Sequence, residues 1–96
     1  MKLRLTPKAR RDLDRIWDHS AEKWGVDQAE IYLSALGKTM EILLISPAIG
    51  SNIDIIKIGY RKFPTASHVL VYKYSTTTLD IVRVLHKNMD LVTQIG

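Results

Sequence analysis

The sequence holds three histidines, His19, His68 and His86, the residue type best suited to moving protons in water. Around the last two stand Tyr60, Arg61, Lys62, Tyr72, Arg83 and Lys87. An imidazole beside arginines can move a proton at a phosphodiester while the guanidinium groups stabilise the charge that develops on phosphate. The inventory suffices for a metal-free ribonuclease, with Arg61, Arg83 and His86 as its catalytic candidates. The same residue types are common on basic surfaces that do no chemistry. His19 falls on a helix surface and reads as an incidental surface residue. The histidines show no His-x-His or His-x-x-x-His spacing and there is no cysteine, so a transition-metal site is not expected. A nucleophile motif, a P-loop and a glycine-rich dinucleotide loop are also absent from the sequence, and no cofactor is expected.

The elements that must hold these residues divide the chain in two. In the second half, from Lys57 to Asp90, β-branched and aromatic residues are dense. The turn Ser75-Thr76-Thr77-Thr78 separates two runs of about eight residues. This predicts an antiparallel meander with a strand over Ile56–Arg61, another ending at Tyr74 and a third ending at His86. His68 starts one strand and His86 ends its neighbour; at the same end of a sheet they would flank a groove. Leu70, Tyr72 and Tyr74 share one face, opposite Val69 and Val71. Leu79, Ile81, Arg83 and Leu85 alternate with Asp80, Val82, Val84 and His86. Both faces therefore carry large apolar residues.

The first half predicts the cover. Met1–Leu5 alternates as a short strand with Lys2 and Arg4 outward. Thr6-Pro7 starts a helix, with Thr as N-cap and Pro at the first helical position. Ala9, Leu13, Ile16, Trp17, Ala21 and Trp24 mark its buried face, and Gly25 ends it. Asp27 is expected to cap a second helix with a stripe of Ala29, Tyr32, Leu33, Leu36, Met40, Leu43 and Leu44, widened by Ile31, Ile42 and Ile45. Ser46-Pro47 closes it. The short link makes the two helices an antiparallel hairpin. One hairpin covers one sheet face; the other, partly apolar and rimmed by Arg, His, Tyr and Lys, reads as a binding surface, with a compact core in which aromatic and basic stems cover each other as the alternative. The fold class is thus α+β in a single domain spanning residues 1–96: strand, helical hairpin, three-stranded meander.

Ninety-six residues, 46% of them apolar, can bury one modest core. A net charge of +4 favours an acidic partner: nucleic acid, the ribosome or an acidic protein. Without cysteine or an apolar span, a cytoplasmic protein with neither membrane segment nor signal peptide is expected.

Several short motifs in fixed order carry a resemblance. They are Leu5-Thr6-Pro7-Lys8-Ala9, Asp12-Leu13 with Ile16-Trp17, Trp24-Gly25, Ala29-Glu30, Ser46-Pro47 with Gly50, Gly59-Tyr60-Arg61, His68-Val69-Leu70-Val71-Tyr72, and Ile81-Val82-Arg83-Val84-Leu85-His86 with Met89-Asp90. With the predicted element order, this resembles the ParE/RelE toxin superfamily of type II toxin–antitoxin modules, and its ParE branch most closely. The resemblance implies a small cytoplasmic toxin silenced by a ParD-like antitoxin and acting on DNA gyrase as a binding protein rather than an enzyme. RelE-like relatives instead cut messenger RNA on the ribosome. This sequence has Arg61 and Arg83 where their arginines would fall, but lacks their C-terminal Arg/Tyr segment, reading Lys87-Asn88-Met89-Asp90-Leu91 after His86. Lys87-Asn88 also departs from the Gly- or Arg-containing forms often seen in ParE-like toxins. On the gyrase reading Arg61, Lys62, Arg83, His86, Lys87 and Met89 are the target-contacting residues. Leu70, Tyr72 and Tyr74 are expected to receive the antitoxin. An mRNA endonuclease and an inactive relative that only binds antitoxin stand as the alternatives.

Overall fold

The computed structural model covers residues 1–96. Strand β1 (Lys2–Leu5) leads into helices α1 (Pro7–Trp24) and α2 (Val26–Ile45), a single 3₁₀ turn at Pro47–Ile49, and strands β2 (Ser51–Asn52), β3 (Arg61–Thr65), β4 (His68–Tyr74) and β5 (Thr78–His86). A short helix, α3 (Leu91–Ile95), closes the chain. The sheet order is β1-β5-β4-β3-β2, with β1 parallel to β5 and the remaining pairs antiparallel. This is the α+β architecture expected: a first strand, a helical hairpin and a meander. No helix is long and apolar enough to cross a membrane.

Local chemistry fixes the helices. Thr6 Oγ1 accepts from the Ala9 amide at 3.1 Å, and Pro7 follows at the first helical position. Gly25, at φ 96°, turns the chain directly from α1 into α2, so α2 starts at Val26 and the expected Asp27 cap does not form. Asp27 lies instead in the first turn, where its charge suits the helix dipole. Leu36, Met40 and Leu43 of α2 and Ala9 and Ile16 of α1 pack on Leu70, Tyr72, Leu79, Ile81 and Val84 of the sheet. Trp24 is exposed, and so are Ile31, Ile42 and Ile45, the last at 83%; they do not widen the buried stripe of α2.

The strand predicted over Ile56–Arg61 does not form; β3 begins at Arg61. Residues 53–60 instead fold on themselves. Asn52 Oδ1 accepts from the Asp54 amide at 2.7 Å, and Asp54 Oδ1 accepts from the Gly59 amide at 2.7 Å, with Gly59 at φ 86°. These side-chain bonds give the backbone partners that a ladder would otherwise supply. The bond from Gly59 also holds the Asp54 carboxyl below the usual carboxylate range. Ile55 and Ile58 point to solvent, while Ile53 is buried.

A register shift in the β4–β5 pair lets Val71 face Arg83 while Tyr72 faces Ile81, so Val82 is the extra residue of a bulge. The bulge resets the alternation of β5. Leu79 and Ile81 face the helices, but so does Val84, while Leu85 turns to the opposite face. The expected sequence of Leu79, Ile81, Arg83 and Leu85 on one face is broken at Val82.

The second sheet face is not open. Ile53, Val71, Leu85 and Ile95 form a second buried cluster, supported by Ile56, Tyr60, Val69 and Leu91. The 53–60 loop and α3 thus cover the surface expected to await a partner. Leu70 and Tyr72, expected to receive the antitoxin, have 0% exposure because both belong to the core under the helices. Of that trio only Tyr74, at the strand end, reaches solvent.

Candidate functional site

The antiparallel register places His68 of β4 directly opposite His86 of β5. Both side chains stand on the helical face at one end of the sheet, with ring centroids 5.5 Å apart and planes at 78°. Tyr32, on the inner stripe of α2, meets them from above: its Oη lies 2.5 Å from His68 Nδ1 and also accepts from the Ser67 amide at 3.2 Å. The turn that presents Ser67 and His68 is tight, and Ala66 takes the left-handed conformation at φ 53° to make it. We assign the Tyr32 proton to the bond with His68 Nδ1, which leaves that imidazole neutral with its hydrogen on Nε2. His86 Nδ1 accepts from the Asn88 amide at 3.2 Å, which assigns the hydrogen of a neutral His86 to Nε2 as well. Burial pushes His68 below the ordinary imidazole range, and the positive charge that His86 can carry pushes it the same way.

The cluster opens on a cavity of about 300 Å³ between α1 and the sheet end, bordered by Arg15, Ile16, His19, Trp24 and Lys23 of α1. His19 packs edge-on against Trp24 with centroids 6.2 Å apart. It therefore belongs to the cavity wall, though its position on a polar helix face had marked it as incidental. Tyr32, read from the sequence only as part of a buried stripe, is the group that holds His68. Its only sequence signal was a hydroxyl in an otherwise apolar stripe, which calls for a partner when half-buried.

The arginines expected beside the histidines are engaged elsewhere. Arg83 Nε and Nη2 donate to the two carboxylate oxygens of Asp12 on α1, at 2.8 and 3.0 Å, and Nη1 donates to Gln94 O at 3.4 Å. Asp12 accepts further from the Val84 amide at 2.9 Å, on the edge of β5 that β1, ending opposite Ile81, no longer covers. The pair is largely buried, with side-chain exposures of 13% for Arg83 and 7% for Asp12. Bonding to Asp12 pushes the Arg83 pKa further up, so the guanidinium stays charged at every relevant pH. Arg61 donates to Gly50 O at 2.7 Å and to Ala48 O at 3.2 Å, pinning the loop after α2. Tyr72 holds the same loop, donating to Pro47 O at 2.7 Å and accepting from the Gly50 amide at 3.0 Å; burial raises its pKa.

Thus the six basic and tail positions do not converge. His86 belongs to the histidine–tyrosine cluster. Arg61 faces the helical side, opposite Tyr72, while Lys62 and Arg83 flank Val71 on the other face. Lys87 and Met89 are exposed in the turn that follows β5. Chemically, two facing imidazoles with a phenol can relay a proton, but the cations free to meet a phosphate at this cavity are Arg15 and Lys23, not Arg61 or Arg83.

The family model described as "ParE toxin of type II toxin-antitoxin system, parDE" matches residues 3–91, nearly all of the strand–hairpin–meander unit. The chain belongs to the ParE toxin family. A Toxin ParE1 of Mycobacterium tuberculosis is 44% identical over 88 residues, covering 91% of this chain and 90% of the relative. A Toxin ParE1 of Caulobacter vibrioides is 37% identical over 93 residues, covering 97% of this chain and 96% of the relative. A solved structure described as "Chromosomal ParDE TA system from P. aeruginosa" shares the fold with a TM-score of 0.78 at 22% identity, over 90% of this chain and 95% of that one. In this member of the ParE family, then, the Asp12-Leu13 and Arg83-Val84 motifs that carried the resemblance meet in space, 71 positions apart in the chain, as one ion-paired clamp.

Proposed function

We propose that the chain is a cytoplasmic toxin that binds and inhibits DNA gyrase, is silenced by a ParD-like antitoxin, and cleaves no phosphodiester bond itself. The gyrase reading rests on membership of the ParE family. The observation that carries the non-cleaving part is the engagement of Arg61 with backbone carbonyls and of Arg83 with Asp12. Neither guanidinium is free to stabilise charge on a scissile phosphate, a role usually worth several kcal/mol. Lys62, His86, Lys87 and Met89 remain as target contacts, with Arg61 and Arg83 acting by holding the surface that presents them.

For the antitoxin the reading moves from the sheet to the outside of α2. Ile31, Ile42 and Ile45 are exposed there. They lie at spacings that keep them near one face, and Ile31 with Ala35 borders a shallow groove there. Such a stripe fits the apolar face of an amphipathic antitoxin helix. One observation favours a second reading, that of a ribosome-dependent mRNA endonuclease: the Tyr32–His68–His86 cluster beside a cavity.

One experiment separates them. The purified protein is assayed for inhibition of gyrase supercoiling and for ribosome-dependent mRNA cleavage, alongside His86→Gln and Lys87→Glu. Gyrase inhibition that survives His86→Gln and weakens in Lys87→Glu is the expected result. Messenger cleavage by the wild type that drops about 10²-fold or more in His86→Gln, with supercoiling untouched, would install the endonuclease. Activity in neither assay, with antitoxin binding intact, would mark an inactive relative.

A further inference from the structure

The start of α1 runs against helix electrostatics. Its first turn holds no acidic residue, yet Lys8 lies in that turn and Arg10 and Arg11 follow at once. Positive side chains there meet the positive end of the helix dipole, which is unfavourable for the isolated helix. A sequence that breaks a local rule without evident gain in folding usually does so for a site. The chain holds two ion pairs, Arg4–Asp80 and Arg83–Asp12, so Lys8, Arg11 and Arg15 have no carboxylate partner. Their spacing of three and then four residues sets them on one helix face. That face, with Arg83 and Asp12, borders an open cleft of about 190 Å³ that has no hydrophobic lining residue. The one carboxylate in it is already filled, accepting from Arg83 twice and from the Val84 amide. Lys8 and Arg83 also border an adjoining cleft of about 230 Å³, where Lys57 adds a further cation.

We propose that this strip, Lys8, Arg11 and Arg15 with Lys57 at its end, binds the phosphate backbone of duplex DNA. A docked protein segment would need apolar anchors at the centre of its footprint, and the cleft along α1 offers none. Phosphate contacts need only donors and charge, and arginine and lysine supply both. From Lys8 to Arg15 the helix advances about 10 Å, a length over which one strand of B-DNA presents about three phosphates. The proposal goes beyond gyrase inhibition and does not depend on it, since the clefts along the strip include none of the target contacts Lys62, His86, Lys87 and Met89.

The test is fluorescence anisotropy with a labelled 20-base-pair DNA duplex from 50 to 200 mM salt. Two triple variants are compared with the wild type: Lys8→Gln/Arg11→Gln/Arg15→Gln on the strip, and Lys2→Gln/Lys38→Gln/Lys73→Gln away from it. Both remove three charges, so net charge is matched. The wild type should bind with a log–log salt slope that becomes shallower by about 2.7 in the strip variant, about 0.9 for each of three phosphate contacts. The off-strip variant should keep most of the wild-type slope. The strip variant should also melt no lower than the wild type, because it relieves repulsion at the helix start; a lower melt would mean that these cations serve folding and would overturn the argument. Equal losses in both variants would reduce the effect to diffuse charge and overturn the proposal. So would absence of binding at 50 mM salt, or a poly-glutamate peptide that binds more tightly than DNA and displaces it, which would assign the strip to an acidic protein.

Discussion

Replacing Asp12 by Asn tests the clamp between α1 and the bulged end of β5. Asn keeps the size of the side chain, and its carbonyl can still accept from the Val84 amide, as Asp12 does at 2.9 Å. What it loses is the charge that meets Arg83 at 2.8 and 3.0 Å. Its amide group would then turn N–H donors toward a guanidinium that only donates. Breaking a buried pair from one side typically costs 3–5 kcal/mol, because the other charge is left without compensation. Arg83 keeps 13% of its side chain exposed and a bond to Gln94 O, so about 3 kcal/mol is the reasoned value. A domain of this size has roughly 5–15 kcal/mol in total, and the melting point should fall by more than about 10 °C. Urea unfolding followed by circular dichroism, read with a thermal melt, measures it. The double variant Asp12→Asn/Arg83→Met removes the stranded charge and should recover most of the loss, leaving about 1 kcal/mol. A single-variant loss below about 1 kcal/mol, or no recovery in the double variant, would refute the account of a buried, charge-dependent clamp. The same result bears on function: an Arg83 variant that loses toxicity together with stability has lost its surface, not a contact with the target.

Three further outcomes are expected. Tyr72→Phe removes the Oη that serves Pro47 O and the Gly50 amide, so it should cost about 1–3 kcal/mol in a urea melt and speed hydrogen exchange at Gly50; unchanged exchange there would show that the loop is held by other bonds. Ile95→Ala opens the second cluster and should cost about 2 kcal/mol or more, whereas a loss within about 0.5 kcal/mol would mean that α3 only rests on the sheet. His68 has a folded-state pKa below the ordinary imidazole value of about 6.5, so between the two values the unfolded chain binds a proton that the folded chain does not. Its contribution to stability is then complete above about pH 6.5 and is lost as pH falls through the folded value, and His68→Gln should flatten stability between pH 7.5 and 5.5; an NMR titration of His68 with a midpoint at or above 6.5 would contradict this.

The sequence alone settled what depends on neighbours in the chain. Thr6-Pro7, Gly25 and Ser46-Pro47 bound the two helices because caps, left-handed glycines and proline sterics act over a few residues. The meander and its turn at Ser75 were legible for the same reason, and eight ordered motifs were enough to suggest the family. The local failure was at Ile56–Arg61, where an apolar alternation suited a strand but Asn52 and Asp54 captured the backbone in a loop.

What lay beyond the sequence were pairings between distant residues. One extra residue, Val82, decides which face every later side chain of β5 takes, and a bulge leaves no signal in alternation until its partner strand is known. That shift carries Val84 and His86 to the helical face, where His86 meets His68, while Arg83 on the other face pairs with Asp12, 71 positions earlier. Likewise Tyr32 meets His68 across 36 positions. Periodicity could show that the sheet is apolar on both sides. Only the folded chain could show that its own 53–60 loop and α3 fill the second side, which moves the open apolar surface to α2. The physical reason is that burial belongs to the assembled layers: an apolar stripe must be covered, but its pattern does not say by what.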